Sequence, residues 1–362
     1  MADLTTSTKS VGKARSQAPM LANFGFGRKD RAMAWQLIAD ITEAGIDLDE
    51  ALRLAGDIFE QRGKKSITGR LTEIRRGHTQ NRFVEVMAQY APGPESALFS
   101  GLGSVDTSAI FAGASRILQV QRKINSAVIK ALATPALLFV LIFMTIYFAG
   151  TNLFPILSEI TSFDQLDIVT SGFIDFSLWF ADHPFIMFGV LGFFVFAVSL
   201  SVPLYTGPAR AYLDRIPPYS LYRLATGCAF AMSIVESARA GQDITGRFLL
   251  QMSERLDPYS RSKIRKIASG MKQGNIGTAC HANGEGFPAP DLNAVWAAFD
   301  KRDDWVDPLA RFLSRWLEDV EERAKQTASI LNTFMIGFAA FSIGLILNTI
   351  FAVLNNASQG GL

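Results

Sequence analysis

The chain has 362 residues, 49% of them hydrophobic and 28 of them Phe, and its formal net charge is +2. This length suits two ordinary domains or one large domain. So small a charge does not indicate a nucleic-acid partner, and the concentration of Phe and Leu in three stretches argues against an ordinary soluble protein.

The first part of the chain is polar. Residues 1–28 lack the apolar core and the small-residue cleavage site of a secretory signal peptide, so we interpret them as a disordered cytoplasmic arm. Residues 29–130 carry apolar residues at helical spacing, which predicts a cytoplasmic helical bundle.

Three uncharged stretches are long enough to cross a membrane. Ala131–Gly150 contains 20 uncharged residues, which at about 1.5 Å each cover a hydrocarbon core of about 30 Å. His183–Ala209 is a second such stretch, and Ile330–Leu354 is the apolar part of a third. One of them alone would fit a buried helix of a soluble protein, but three predict a membrane protein. The predicted spans are residues 131–150, 183–205 and 330–354.

Lys and Arg are segregated along the chain. All 35 lie in Met1–Lys130 or Arg210–Lys325, whereas Thr151–Asp182 has none and carries five acidic residues. Because cytoplasmic segments are enriched in Lys and Arg, we expect a cytoplasmic N-terminus and an external C-terminus. The external parts are then residues 151–182, where the run FIDFSLWF predicts a short amphipathic segment at the outer surface, and the tail 355–362.

The sequence contains an internal repeat. Residues 42–56 read TEAGIDLDEALRLAG and residues 238–252 read ARAGQDITGRFLLQM, each with the tetrad Ala-Gly-x-Asp after an apolar helical stretch. Glycine favours the left-handed conformation that closes a helix, and Asp two positions later is a good N-cap for the next one. We therefore predict a turn at Gly45 followed by an Asp47 cap, and a turn at Gly241 followed by an Asp243 cap. Pro92 parallels Pro288 at a similar offset.

Each copy of the repeat ends in a long helical pattern that runs into a span. The second pattern repeats apolar residues at the spacing of one buried helix face; these residues are Leu309, Phe312, Leu313, Trp316, Leu317 and Val320. We therefore predict an all-α membrane protein with two homologous cytoplasmic helical bundles in tandem, at 29–130 and 206–329, plus three transmembrane helices. The second span returns the chain to the cytoplasm.

No enzymatic constellation is visible in the sequence. A phosphate-binding G-x-x-x-x-G-K-[ST] loop and an H-E-x-x-H motif are absent, and the spans contain no acidic or basic residue. Cys228 and Cys280 lie in the predicted cytoplasmic part, where we expect no disulfide, and Cys280-His281 lacks the spacing of a metal site. We name no catalytic, cofactor-binding or metal-binding residue, and we expect no cofactor.

Several polar motifs allow a functional and a structural interpretation. Arg75-Arg76 and the cations of residues 261–266 are either docking patches or, as we favour, solvated helix faces near anionic lipid. Ala340 and Gly344 have the spacing that seats a neighbouring helix, and Asn332, Asn348 and Asn355 favour contacts between helices. His78 and His281 are interpreted as solvated surface residues, and His183, just before Pro184, as an interfacial residue at the membrane edge.

Two local motifs resemble a known family. Residues 131–135 (ALATP) open the first span, and Phe154-Pro155-Ile-Leu follows it; LIADITEAGIDLDEAL is similar to the family's helical hairpin. Over residues 31–355 the chain resembles the inner-membrane platform proteins of type II secretion and type IV pilus systems, the GspF/PilC family. The resemblance implies a scaffold in the bacterial inner membrane that couples a hexameric assembly ATPase to insertion of pilin or pseudopilin subunits. It also implies other inner-membrane assembly proteins as partners, a homo-oligomer, contact with membrane lipid, and no direct nucleic-acid contact.

The sequence departs from that family at two places. The family usually has Gly-Glu before the last helix of each bundle, but residues 101–104 read GLGS and residues 299–302 read FDKR. No acidic or metal-binding role is therefore carried over, and the departures favour a type IVb or conjugative thin-pilus branch. The alternative function is a membrane subunit of a small transporter, which the scarcity of polar residues in the spans disfavours.

Overall fold

The computed structural model of the protein describes residues 26–91, 93–101, 106–160, 166–271, 275–283, 285–302 and 304–360. Within these ranges the regular elements are helices and there is no strand, as predicted. Pro92 and nearly all of the predicted arm lie outside the described residues. The α-helices are α1 (Arg28–Glu43), α2 (Leu48–Gln61), α3 (Lys65–Thr79), α4 (Phe83–Tyr90), α5 (Thr107–Phe148), α6 (Phe154–Ile160), α7 (Ile168–Asp182), α8 (Pro184–Leu204), α9 (Arg210–Leu213), α10 (Tyr219–Arg239), α11 (Gly246–Ser253), α12 (Pro258–Gly270), α13 (Ile276–Asn283), α14 (Pro290–Phe299) and α15 (Val306–Gly360). A 3₁₀ helix spans Pro94–Gly101, and a π-helical turn at Ala149–Leu153 joins α5 to α6.

The first hydrophobic core lies among α1–α4 and the beginning of α5, and we call it the N-terminal core. Trp35 is its centre: its ring lies 5.7 Å from that of Phe26, 5.5 Å from that of Phe99 and 5.6 Å from that of Phe111. All four side chains are fully or almost fully buried. Tilted and edge-on pairs of this kind contribute about 0.5–1.5 kcal/mol each beyond the burial of apolar area. The aromatic cluster therefore fixes α1 against α5.

The second hydrophobic core lies among α10–α14 and the beginning of α15, and we call it the C-terminal core. Trp296, Phe230 and Phe287 are buried at its centre. The α15 face predicted from the spacing is present, since Leu309, Leu313, Trp316 and Val320 are at most 2% exposed, while Phe312 and Leu317 are partly buried. Cys228 and Cys280 are free thiols buried in the same core.

The two tetrads differ in how they start the next helix. Gly45 and Gly241 both have positive φ, +86° and +81°, as predicted for the turns. The Asp47 carboxylate accepts a hydrogen bond from the Asp49 N–H at 3.0 Å, so this cap is confirmed. The predicted Asp243 cap is wrong. The Thr245 hydroxyl instead accepts from the Phe248 N–H at 3.2 Å, because α11 begins at Gly246.

The two cores meet along α5 and α10. Glu236 of α10 is 2% exposed and accepts a hydrogen bond of 2.6 Å from the Arg116 guanidinium of α5. The Gln242 side-chain amide donates to the Leu98 carbonyl at 2.6 Å. Ala240 packs in the N-terminal core, and Ile124 packs in the C-terminal core. The two cores are therefore in contact through both polar and apolar side chains.

Among the described residues, three helical segments are long and apolar enough to cross a membrane, as predicted. They are Thr107–Glu159, Pro184–Leu204 and Val306–Asn355. Phe185 and Phe193 of α8 are 91% and 72% exposed, which suits contact with lipid rather than with water. The first and third segments extend far beyond the apolar part, because α5 and α15 also pack in the two cores.

The segment predicted as amphipathic forms α7, which packs against both α5 and α15. Phe180 packs with Ile142 and Ile146 of α5, and Ile174 packs with Val353 of α15. Gly150 meets the Ser177 backbone so closely that a Cβ would collide with its carbonyl oxygen, so a residue without a side chain is required there. The helix is therefore present, and its location at the outer surface stays a prediction.

Candidate functional site

The most prominent feature of the fold is the pair formed by α5 and α15. Both helices continue from a hydrophobic core into an apolar segment with no loop between, over 42 and 55 residues. Glu321 of α15 lies 3.3 Å from Lys123 of α5 and 3.3 Å from Lys325 of its own helix. These two ammonium groups lower the pKa of Glu321, so that its carboxylate stays ionised and connects the helices.

A cavity of about 1130 Å³ opens between α1, α5 and α15, next to the apolar segments. Among the described residues, its charged lining consists of five cations and one acid, namely Lys29, Arg122, Lys123, Lys130, Lys325 and Glu321. We call it the basic cleft. Pro135 and Asn332 line its apolar end, and Pro135 has no N–H to donate to the carbonyl of residue 131 in α5.

A buried polar network joins the end of α8 to the C-terminal core. The side chains of Arg210 and Asp214 are 4% and 3% exposed, and their Nε and Oδ1 atoms are 2.7 Å apart. A guanidinium N–H donates to the Val202 carbonyl at 2.6 Å, which satisfies a backbone group in the last turn of α8. The guanidinium also lies 4.0 Å from the centre of the Tyr259 ring. We call these residues the Arg210 network.

Tyr259 completes the Arg210 network. Its hydroxyl donates to Oδ2 of Asp214 at 3.0 Å. Burial and the Asp214 carboxylate raise the pKa of Tyr259, so the hydroxyl stays protonated and can donate. A buried carboxylate with both an arginine and a tyrosine partner is well satisfied, whereas a partner's removal would leave its charge uncompensated. The network therefore fixes the start of the C-terminal core to the apolar helix α8.

The cations of α12 serve mainly internal contacts. Arg261 donates to three backbone carbonyls at the end of α11 and in the turn after it. Lys263 and Lys266 both contact Glu285, and their hydrogen bonds, that of Lys263 first, lower the pKa of Glu285 to about 2. Arg265 is exposed. The structure therefore favours the structural interpretation of this patch, and three of its four cations hold the C-terminal core together.

Of Arg75 and Arg76, likewise, one has an internal contact and the other is exposed. Arg75 of α3 forms a two-pronged contact with Asp49 of α2, with nitrogen to oxygen distances of 2.7 and 3.0 Å, and this contact lowers the pKa of Asp49. Arg76 is exposed. His78 is half-buried and meets the Phe83 ring edge-on at 5.6 Å. Arg76 is thus the cation of the pair that a partner would reach.

The other histidines lie on the surface. His281 is exposed, and His183 is exposed at the junction of α7 and α8, where it stacks on Trp179 with 5.5 Å between ring centroids. Among the described residues, no group of three or more His, Cys, Asp or Glu side chains has the geometry to hold a metal ion.

The polar residues of the third span have different roles. The Asn348 amide donates to the Thr170 hydroxyl of α7 at 3.0 Å, which is the contact between helices that the sequence predicts. Asn332 faces the basic cleft. Ala340 and Gly344 lie on an exposed face of α15, and a Cβ at Gly344 would meet nothing within 4 Å. The Asn348 contact is therefore structural, and the small-residue pair Ala340 and Gly344 is exposed.

Sequence reasoning missed the Arg210 network and the basic cleft. Arg210 is the first cation after Lys130 in the sequence, a position that suggests a residue at the membrane surface. Its side chain is instead buried. Its four-residue spacing to Asp214 is the one local signal that indicates a pair. The cleft could not be found, because its lysines and arginines come from three separate helices.

Comparison with known proteins identified no relative of this chain. The chain matches no family model, no curated protein and no solved structure.

Proposed function

We propose that the chain is a non-enzymatic platform in the bacterial inner membrane, which couples a cytoplasmic assembly ATPase to the insertion of pilin or pseudopilin subunits. The observation that carries the proposal is the pair α5 and α15, since each passes from a polar helical region into an apolar span without a loop. A continuous helix transmits displacement, whereas a flexible linker absorbs it.

The proposal includes two homologous bundles in tandem. Its support is the repeated order of elements: α1 and α2 flank the Gly45 turn, α10 and α11 flank the Gly241 turn, and each series ends in a long helix. In this scheme α1–α3 contact a hexameric ATPase, and the spans act on subunits together with other inner-membrane proteins and further copies of the chain. The similarity of residues 131–135 and 154–157 to the GspF/PilC pattern supports the same assignment.

The proposed topology places residues 1–130 and 206–329 in the cytoplasm and residues 151–182 and the C-terminus outside. In a background without Cys228 and Cys280, we expect a membrane-impermeant thiol reagent added to intact spheroplasts to label Ser171→Cys and not Ser220→Cys. The reason is the segregation of Lys and Arg. Both sites should react after lysis, which controls for accessibility, and labelling of Ser220→Cys alone before lysis would reverse the topology.

The ATPase contact is testable by cross-linking in living cells. Arg76 is exposed on α3, so a photoreactive amino acid in its place is expected to capture a hexameric ATPase that mass spectrometry identifies by its phosphate-binding loop. The same amino acid at Ile168, which is 87% exposed on α7, is the control and should not capture it. An abundant, membrane-inserted Arg76 variant that captures no ATPase would contradict the proposed coupling.

A further inference from the structure

The basic cleft has the charge of an anion-binding site. Five cations from three helices face one cavity, and Lys29, Arg122, Lys123, Lys130 and Lys325 are all exposed. The cleft's one acid, Glu321, already contacts both Lys123 and Lys325. Like charges gathered at one place repel each other, so an anion that enters the cleft stabilises the arrangement.

Next to the cleft, an exposed apolar face of α15 forms a shallow groove between the side chains of that helix alone. The groove has a volume of about 600 Å³ and is lined by Ile330, Phe334, Gly337 and Phe341, among others. Ser329 lines both the cleft and the groove. A Cβ at Gly337 would meet nothing within 4 Å, so the groove is open along its floor. The two cavities together suit a molecule with an anionic end and an apolar end.

The position of the cleft relative to the apolar segments gives the orientation of that molecule. The basic end lies beside Lys130 and Lys325, the last cations before the two apolar segments, and the groove runs along the apolar segment that follows Lys325. This is the level at which the phosphates of a cytoplasmic leaflet meet basic residues next to a span. Asn332 also lines the cleft, at its apolar end, and gives that end a polar side chain.

The chain's own N-terminal arm is a poor occupant. Residues 1–25 include Lys9, Lys13 and Arg15 and only one acid, Asp3, so the arm has the same sign of charge as the cleft. An amphipathic anion from the surrounding membrane has the opposite charge and an apolar part that the arm lacks.

We propose that the basic cleft binds one anionic phospholipid, with the phosphate among the cleft cations and an acyl chain along the α15 groove. The bound lipid fills the space between α5 and α15 at the membrane surface. This assignment stands without the proposed platform function, because it uses only the cleft, the groove and their position.

The test is native mass spectrometry of the full chain from nanodiscs that contain equal amounts of phosphatidylglycerol and phosphatidylcholine. The wild-type protein is expected to retain one phosphatidylglycerol and no phosphatidylcholine. In Arg122→Gln/Lys130→Gln, occupancy should fall by about fivefold for each cation removed. The matched control Arg265→Gln/Lys301→Gln removes two exposed cations far from the cleft in sequence and should retain the lipid as the wild type does.

Three outcomes would overturn the proposal. Equal retention of phosphatidylglycerol by the two double variants would place the lipid elsewhere. Displacement of the lipid by inorganic phosphate in the millimolar range would assign the cleft to a free anion. If the wild-type protein retains no anionic lipid, the lipid proposal is wrong, and the cleft would instead be assigned to an acidic protein segment. Because the wild-type comparison of the two lipids needs no variant, a poorly folded variant does not decide the result.

Discussion

Insertion of Gly-Ser-Gly-Ser after Lys325, or after Asn125, is expected to abolish assembly of filaments while membrane insertion and abundance stay normal. Both positions lie just beyond the Lys123–Glu321 contact and before the apolar segments. Four flexible residues interrupt the hydrogen-bond ladder of the helix, and Gly alone costs about 1 kcal/mol in a helix interior. Displacement of the cores would then no longer reach the spans.

The measurement is filament or secretion output in a strain that lacks the gene and carries each variant, with abundance and membrane insertion determined by immunoblot. The matched control is the same tetrapeptide after Lys301, which is exposed between α14 and α15, outside both long helices and outside the proposed ATPase contact. We expect the control to assemble normally. Normal output from both helix-insertion variants would mean that α5 and α15 do not transmit motion, and the platform proposal would lose its mechanism.

Replacement of Arg210 by Ala is expected to destabilise the protein by about 3–5 kcal/mol, because it leaves the buried Asp214 carboxylate without its cation. It also removes the donor to the Val202 carbonyl and the contact with the Tyr259 ring. In detergent, the midpoint of thermal unfolding followed by tryptophan fluorescence should fall by about 10 °C, at about 2–4 °C for each kcal/mol.

The double variant Arg210→Met/Asp214→Leu distinguishes the effect of the unpaired Asp214 charge on thermal stability from the effect of lost packing. It removes both ions together and should melt much closer to the wild type, since a buried ion pair replaced by apolar residues of similar size is often neutral. Arg210→Lys should lie between them, because lysine keeps the charge but cannot bond Asp214 and Val202 with one planar group. If Arg210→Ala and the double variant melt at the same temperature, the unpaired Asp214 is not the cause of the loss.

The helices and spans were predictable because their signals are local or continuous. The apolar face of α15, from Leu309 to Val320, follows from helical spacing alone, and the spans follow from length and absence of charge. The turns at Gly45 and Gly241 were predicted from a glycine in the left-handed region. Asp243 was wrongly predicted as a cap, because Thr245 two residues later offers a hydroxyl at the residue where α11 begins.

The contacts of the α12 cations and of the Arg210 network were not predictable, because their partners include residues distant in sequence. The cations of α12 were interpreted as a solvated face, but Lys263 is 8% exposed and contacts Glu285, which follows α13. No role was predicted for Arg210, which is buried against Tyr259, a residue that follows it by 49 positions. Helical spacing shows which face of a helix is apolar, and it does not show which helix covers that face.

The contacts of α7 limit how α5 and α15 can move relative to each other. The pair is connected at Lys123–Glu321 and again through α7, whose Phe180 packs with Ile146 of α5 and whose Thr170 accepts a hydrogen bond from Asn348 of α15. Glu321 and Asn348 are about 40 Å apart along one helix at about 1.5 Å per residue. Two connections so far apart favour a constant angle between the two helices. In the proposed platform, displacement of either core would therefore move α5 and α15 together, as one lever.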